Sequence, residues 1–270
     1  MFKYVIIAND YPESLALAQK LKIILTDRQM QEDIITPEYV FVIGGDGTLL
    51  RAVNEFQDIL DEVCLIVVKS GSLGFYANYD EKTVTQAIDD IINDTAHIQQ
   101  LPLLEVKFNN NQIRYALNEV KIVDHVKTIR TDIYINDELL EYFRGSGLVF
   151  ATSTGSTGYM RAIGGAIILS NKYKLWEMKE IAPVANSTFS TITAPLILDD
   201  SQSVILEGEL IHKQIIIDTY EYKVSNNLVK LKFSEKTLNL IYNHRQNQTT
   251  TAKLQTLFAY CNNFNKRGER

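Results

Sequence analysis

The 270-residue chain reads as an α/β domain with a parallel sheet, followed by a β-rich domain of antiparallel strands. Three observations predict this. Over residues 1–100, short β-branched runs alternate with stretches of helical periodicity, the pattern of βαβ units. Beyond Leu101-Pro102-Leu103 the rhythm changes to short alternating runs, separated by turns such as Asn109-Asn110-Asn111 and Asn136-Asp137. In the tail, Leu254, Leu257, Phe258 and Cys261 recur at helical spacing but cannot make a core of their own. The expected division is therefore 1–100, a phosphate-binding domain with 246–270 packing back on it, and 101–245, two packed sheets.

In order, Lys3 to Ala8 is a strand, and Leu15, Leu17, Ala18, Leu21 and Ile24 mark a helix for which Ser14 is a candidate cap. Tyr39 to Ile43 is a buried strand, and Leu49, Leu50, Val53 and Phe56 share one helical face. A strand over Val63 to Val68 and a helix from about Glu81 to Asn93 complete the first part. The second part has alternating runs at Glu105 to Phe108, Gln112 to Tyr115, Thr131 to Ile135, Leu139 to Phe143, Val204 to Leu210, Gln214 to Asp218, Glu221 to Ser225, Leu228 to Phe233 and Leu238 to Tyr242. A polar stretch from Asn243 to Thr251 reads as a connector.

With 33 acidic and 27 basic residues the net charge is -6. No basic run supports general nucleic-acid binding. No apolar run approaches the ~20 residues needed to span a bilayer, and the N-terminus turns polar at Asn9-Asp10 too soon for a signal peptide, so a cytoplasmic protein without membrane contact is expected. Cys64 and Cys261 show no metal-binding spacing and read as buried or idle thiols. His97, His125, His212 and His244 are scattered and form no metal or triad signature, so no metal ligands are assigned.

The chain is organised around Gly44-Gly45-Asp46-Gly47-Thr48, at a strand-to-helix turn. Glycines let the backbone approach an anion closely, and the first N–H groups of the following helix, with its dipole, favour negative charge. Gly44, Gly45, Gly47 and Thr48 thus form a candidate phosphate loop. Asp46 would repel that anion. It either caps the helix or faces a substrate hydroxyl and accepts its proton. Parallel sheets bind ligands at the carboxyl ends of their strands, and Ser70-Gly71-Ser72-Leu73-Gly74-Phe75-Tyr76, after Val68, falls at the same edge.

Four further stretches carry polar groups in unusual places. Asn118-Glu119 interrupts the apolar run Ala116 to Val123, either hydrogen-bonded there or with Glu119 on a wet face. Arg144-Gly145-Ser146-Gly147 offers an Arg able to hold a phosphate or carboxylate bidentately. Thr152-Ser153-Thr154-Gly155-Ser156-Thr157-Gly158-Tyr159 gathers hydroxyls, glycines and one ring, and Gly164-Gly165-Ala166 suggests a close approach of backbone to ligand or partner. Asp218, at a strand end, reads as a turn Asp. Neither a Walker A string nor the dinucleotide Gly-x-Gly-x-x-Gly pattern occurs.

The glycine turn alone resembles a superfamily of NAD kinases, diacylglycerol- and sphingosine-type lipid kinases and, more distantly, 6-phosphofructokinases. The order of motifs resembles bacterial NAD kinases along nearly the whole chain: the glycine turn, Gly71-Ser-Leu-Gly-Phe75, Asn118-Glu119, Arg144-Gly-Ser-Gly147, Thr154-Gly-Ser-Thr-Gly-Tyr159, Gly164-Gly165 and Ile181-Ala-Pro183. That resemblance implies a Rossmann-like N-terminal domain, a C-terminal β-sandwich and a homotetramer whose neighbouring subunits help complete the site. It implies Mg²⁺-dependent transfer of the γ-phosphoryl of ATP, or of polyphosphate in some members, to the 2′-hydroxyl of the adenosine ribose of NAD, giving NADP. Asp46 would accept the proton and Gly47 contact NAD. Asn118 and Glu119 would bind adenine and ribose hydroxyls, and Phe75 would line the adenine site. Arg144, Ser146, Thr157, Gly158, Tyr159, Ala162 and Ala182 would complete the NAD pocket, with Ala182 reaching it from a neighbouring subunit.

Some positions depart from the family's pattern. Ser146 replaces its usual Asp, Met160 and Ala162 its usual Asn and Ser, and Lys69 and Ser72 the usual residues before Leu-Gly-Phe. Asp46, Asn118 and Glu119 are untouched. A lipid kinase sharing the glycine turn, and a non-catalytic NAD(P) sensor that kept the pocket, are the alternatives.

Overall fold

The computed structural model describes residues 2–71, 74–169, 173–187, 189, 191–245 and 249–259. The expected Ser72, Leu73 and Cys261 lie outside them. The chain forms two compact units, Met1–Leu49 with Val63–Gln99 and Leu240–Arg270, and Leu50–Glu62 with Gln100–Asn239.

The first unit holds β1 (Lys3–Ala8), α1 (Pro12–Asp27), β2 (Gln31–Glu32), β3 (Tyr39–Ile43), the first turn of α2 (Asp46–Glu55), β4 (Cys64–Val68) and α3 (Val84–Ile92). Its strands run parallel in the order β2-β1-β3-β4. Phe41, Ile43, Ile66 and Val68 pack against Leu17, Leu21 and Leu25 of α1 and Val84, Ala87, Ile88 and Ile91 of α3. This is the α/β arrangement the alternation predicts. Two helix starts differ. Pro12 opens α1, and Ser14 is no cap: it is buried, its Oγ 2.6 Å from Ser70 Oγ. Helix α3 begins at Val84 because Asp80 Oδ1 accepts the N–H groups of Lys82 and Thr83, an Asx turn that occupies the chain through residue 83.

The second unit is built of β5 (Ile98–Phe108), β6 (Gln112–Ala116), β7 (Glu119–Val123), β8 (Ile129–Ile135), β9 (Glu138–Gly145), β10 (Gly147–Thr152), a single turn α4 (Tyr159–Ala162), β11 (Leu175–Ile181), β12 (Leu196–Asp199), β13 (Ser203–Gly208), β14 (Gln214–Ile217), β15 (Tyr220–Lys223) and β16 (Leu228–Ile241). One antiparallel sheet runs β12-β11-β10-β7-β14-β15; β16, β13, β8 and β9 follow one another in the other, to which β5 and β6 also belong. A single core, with Phe150, Trp176, Ile122 and Ile215 from one sheet and Phe108, Phe143, Leu206 and Leu231 from the other, joins them as a sandwich. The strands β7, β10, β11 and β12 have no counterpart among the alternating runs; β10 is buried at all six positions and so shows no period of two. The separate runs at Leu228 and Leu238 are one 14-residue strand. Residues 50–62 belong to this unit: buried Gln57 both donates to Tyr115 O at 2.9 Å and accepts from Tyr115 N at 2.7 Å.

Beyond the sandwich, Thr249 Oγ1 caps α5 (Thr250–Leu254), and one wider turn follows over Gln255–Ala259.

Candidate active site

In the first unit β3 ends in the glycine turn. Gly44 has φ +152°, and a Cβ there would collide with Thr48 Oγ1, so only glycine fits between the strand and buried Thr48. Gly44 N donates to Val68 O at 3.0 Å, and the amides of Thr48 and Leu49 both turn back to Gly45 O. Gly47 is exposed.

Asp46 opens α2, yet its carboxylate is directed away from its own helix. Oδ2 accepts Phe75 N at 2.8 Å and Oδ1 accepts Tyr76 N at 3.1 Å. The contact needs Gly74, where a Cβ would collide with Asp46 Oδ1. Asp46 and Phe75, expected together, are thus joined directly. Each carboxylate oxygen keeps a second lone pair for a hydroxyl. From the tail, Lys253 Nζ donates to Phe75 O at 2.7 Å, and its ammonium stands 5.6 Å from the Phe75 ring centroid.

In the second unit Asn118 and Glu119 are held by a residue a hundred positions away. Buried Asp218, at φ +53° in the two-residue turn between β14 and β15, accepts the N–H groups of Leu117 (2.9 Å), Asn118 (2.7 Å) and Glu119 (3.1 Å). Its own N–H donates to Glu119 O at 2.8 Å. The turn expected at Asp218 is present, and its carboxylate does far more than close it. Burial pushes Asp218 up to about 6 against the pull of those amides.

The hydroxyl-rich segment packs on the same stretch. Thr152 Oγ1 donates to Leu117 O at 2.6 Å, and Gly155 lies so close to Asn118 O that a Cβ would collide with it. Ser156 Oγ and Thr157 Oγ1 donate to Ser153 O and Thr154 O, so these hydroxyls knit a single 3-10 turn, Gly155–Thr157, and sit buried within it. Gly158 and Tyr159 are exposed beyond it, with the Tyr159 ring 4.8 Å from Lys121 Nζ. Lys121 Nζ also stands 3.7 Å from Glu119 Oε1. Burial first, then the Asp218 carboxylate, pushes Glu119 up to about 7, so near neutral pH its carboxyl can donate or accept. Met160 is fully buried against Val149 and Ala151, and Gly165 is pressed onto it, which makes the close approach expected at Gly164-Gly165 an internal one.

Arg144, Ser146 and Ala182 form a separate group. Ser146 N donates to Ile181 O at 3.0 Å, and Val184 N to Arg144 O at 2.7 Å. The Arg144 guanidinium lies 5.6 Å from the Phe189 ring centroid. Ala182 is exposed at φ +44°, a conformation that strains a residue with a Cβ. The pairing of β10 with β7 runs from Gly147 opposite Val123 to Ala151 opposite Glu119, so this group lies about 16 Å along the strands from Glu119. Exposed Ala162 ends α4, on the Tyr159 side.

Residues 9–96 match the family model for the ATP-NAD kinase N-terminal domain, and residues 110–241 that for its C-terminal domain. The chain belongs to the ATP-NAD kinase family. It is 36% identical over 222 residues to the NAD kinase of Latilactobacillus sakei, covering 80% of this chain and 82% of that protein. To the NAD kinase of Staphylococcus haemolyticus it is 36% identical over 210 residues, covering 76% and 78%.

The fold is that of the ATP-NAD kinase family as well. Yeast NADH kinase complexed with NADH superposes with a TM-score of 0.82 at 16% identity, over 97% of this chain and 88% of that one. An NAD kinase from Archaeoglobus fulgidus in complex with ATP gives 0.73 at 16% identity, over 96% and 98%. Within this family member, motif reasoning overlooked the roles of Asp218, Gly74 and Lys253. A carboxylate following Ile215-Ile216-Ile217 was the visible signal for Asp218; nothing in the sequence ties Lys253 to Asp46.

Proposed function

We propose that this protein is an NAD kinase that transfers the γ-phosphoryl of ATP to the 2′-hydroxyl of the adenosine ribose of NAD, giving NADP. The observation that carries this is Asp46: a carboxylate inside a glycine turn of an ATP-NAD kinase family member, oriented by two backbone amides rather than spent on capping its helix. Phosphoryl transfer asks mainly for positioning, charge neutralisation and a group that accepts the hydroxyl proton. Asp46 is that group. Gly44, Gly45, Gly47 and Thr48 receive the donor phosphates, while Gly47 also contacts NAD and Phe75 lines its adenine site.

Asn118 and Glu119 bind the adenosine end of NAD, with Thr157, Gly158, Tyr159 and Ala162 beside them. Among the described residues no three His, Cys, Asp or Glu side chains gather into a metal site. The divalent cation, Mg²⁺ or another, is proposed to enter with the substrate on the ATP phosphates, a usual binding mode for Mg²⁺. Polyphosphate is the alternative donor.

Arg144, Ser146 and Ala182 serve the nicotinamide half. In this reading Ala182 reaches the pocket from a neighbouring subunit of a homotetramer. Among the described residues no helix is long and apolar enough to cross a membrane, and a cytoplasmic setting fits the substrates.

Incubating purified protein with NAD, ATP and Mg²⁺ and measuring NADP tests the activity. Light scattering at micromolar concentration tests the assembly. NADP formation by a tetramer is expected; NAD binding without turnover would make the protein a sensor, and a fully active monomer would remove the shared site.

A further inference from the structure

We propose that Lys253 is a positioning residue for the phosphoryl transfer, aiming Asp46 through the peptide group between Phe75 and Tyr76; this rests on Asp46 being the proton acceptor. Lys253 lies beyond residue 241, where the match to the family's C-terminal domain ends.

The geometry is specific. Lys253 Nζ donates to Phe75 O at 2.7 Å, and Tyr76 N donates to Asp46 Oδ1 at 3.1 Å. That carbonyl and that N–H belong to one planar peptide group and point to opposite sides of it. An ammonium on the oxygen and a carboxylate on the N–H polarise the group in the same sense, so each bond strengthens the other. The neighbouring Phe75 N–H holds the second Asp46 oxygen, so the lysine fixes the backbone that orients both.

Lys253 is itself fastened. It sits in α5, which is capped by Thr249, and its ammonium faces the Phe75 ring. Its positive charge also offsets the repulsion between Asp46 and the phosphates of the donor. Burial lowers the lysine from its ordinary range, while Asp46, the charged group acting on it, pulls it back up. The ammonium therefore loses its proton earlier on the alkaline side than an exposed lysine does.

The experiment compares the wild type, Lys253→Met, Lys253→Arg, Asp46→Asn and the double variant Asp46→Asn/Lys253→Met, with NAD and Mg·ATP across pH 6–10. Lys253→Met is expected to lower kcat roughly tenfold to a hundredfold, as misplacement of a catalytic group does, with the KM for NAD within about threefold. In the Asp46→Asn background the same change is expected to cost almost nothing, because the two act as one unit. Lys253→Arg keeps most of kcat and moves the alkaline limb upward, since arginine stays charged.

A wild-type kcat in Lys253→Met, or an undiminished loss in the Asp46→Asn background, overturns the inference. Should Lys253→Met fail to fold, Lys253→Arg decides it, and an unmoved alkaline limb overturns it. A wild type that forms NADP and an Asp46→Asn variant slowed roughly 10²–10⁴-fold leave the proposed function standing whatever Lys253 does; a wild type that forms none removes both readings.

Discussion

Asp218 Oδ1 accepts the N–H of Asn118 at 2.7 Å, the shortest of three backbone bonds by which one buried carboxylate sets the start of β7. Asp218→Asn leaves one oxygen for these amides and turns an NH₂ toward another. A buried N–H without an acceptor costs about 1–3 kcal/mol, partly offset here by removal of a buried charge. The expected result is a lower Tm at pH 7.5 and a KM for NAD raised several-fold with kcat changed less, read by calorimetry and steady-state kinetics. A lowered Tm with an unchanged KM would confine Asp218 to folding.

Asp46→Asn keeps the shape and one amide contact while removing the proposed proton acceptor. Turnover is expected to fall by roughly 10²–10⁴, the usual worth of general base catalysis, with NAD binding and circular dichroism preserved. Gly74→Ala should imitate this in part. Its methyl group displaces Asp46 Oδ1, so kcat should fall while the Asp46 charge remains. Unimpaired turnover in either variant contradicts the role given to Asp46.

Within the sandwich, Glu141 on β9 and Glu180 on β11 are only 3% and 6% exposed. Glu180 Oε2 accepts from Thr191 Oγ1 at 2.5 Å and from Thr193 N at 2.9 Å. Burial, and then the adjoining Glu180, push Glu141 well above the usual carboxylate range. Burial raises Glu119 and Glu177 to about 7 as well. A carboxyl whose folded value is raised binds its proton more tightly when native, so stability falls as pH rises from the unfolded value, about 4.3, through the folded one.

The wild type should therefore lose stability steadily from pH 5 to pH 8. Glu141→Gln, permanently neutral and able to donate to Glu180, should show a shallower decline, by up to about 1.4 kcal/mol per pH unit where one proton is removed from the balance. Denaturant unfolding at several pH values measures it. Parallel declines in both proteins would mean that the pair does not share a proton.

Ser146 is half-buried, and its backbone is fixed by bonds to Ile181 and Asp124. With Ser146 in its proposed place beside the nicotinamide half, Ser146→Asp would exchange a neutral hydrogen bond for a charge-assisted one, roughly 1 kcal/mol stronger. The KM for NAD should fall a few-fold. Loss of activity with the fold intact would mean that the pocket is arranged differently around this position.

Much of the architecture was legible because its causes are local. Tyr39–Ile43, the glycines and the apolar face of α2 lie within about twenty residues, and strand, turn and helix follow from period and glycine placement alone. The family motifs were legible for the same reason, each being a contiguous string. Where a strand is buried on every residue, as β10 is, the period of two disappears and with it the signal.

What the sequence by itself determined was the order of an α/β part and a β part, the glycine turn with its single carboxylate, and the strings that mark the family. Tertiary structure alone decided what those strings touch: Asp46 on the Phe75 and Tyr76 amides, Asp218 on the backbone of residues 117–119, Lys253 on Phe75 O, Glu141 against Glu180. Hydrophobic periodicity is a property of neighbours along the chain. A buried polar group must find its partner wherever the folded backbone brings one within about 3 Å, and that partner can lie a hundred or more residues away.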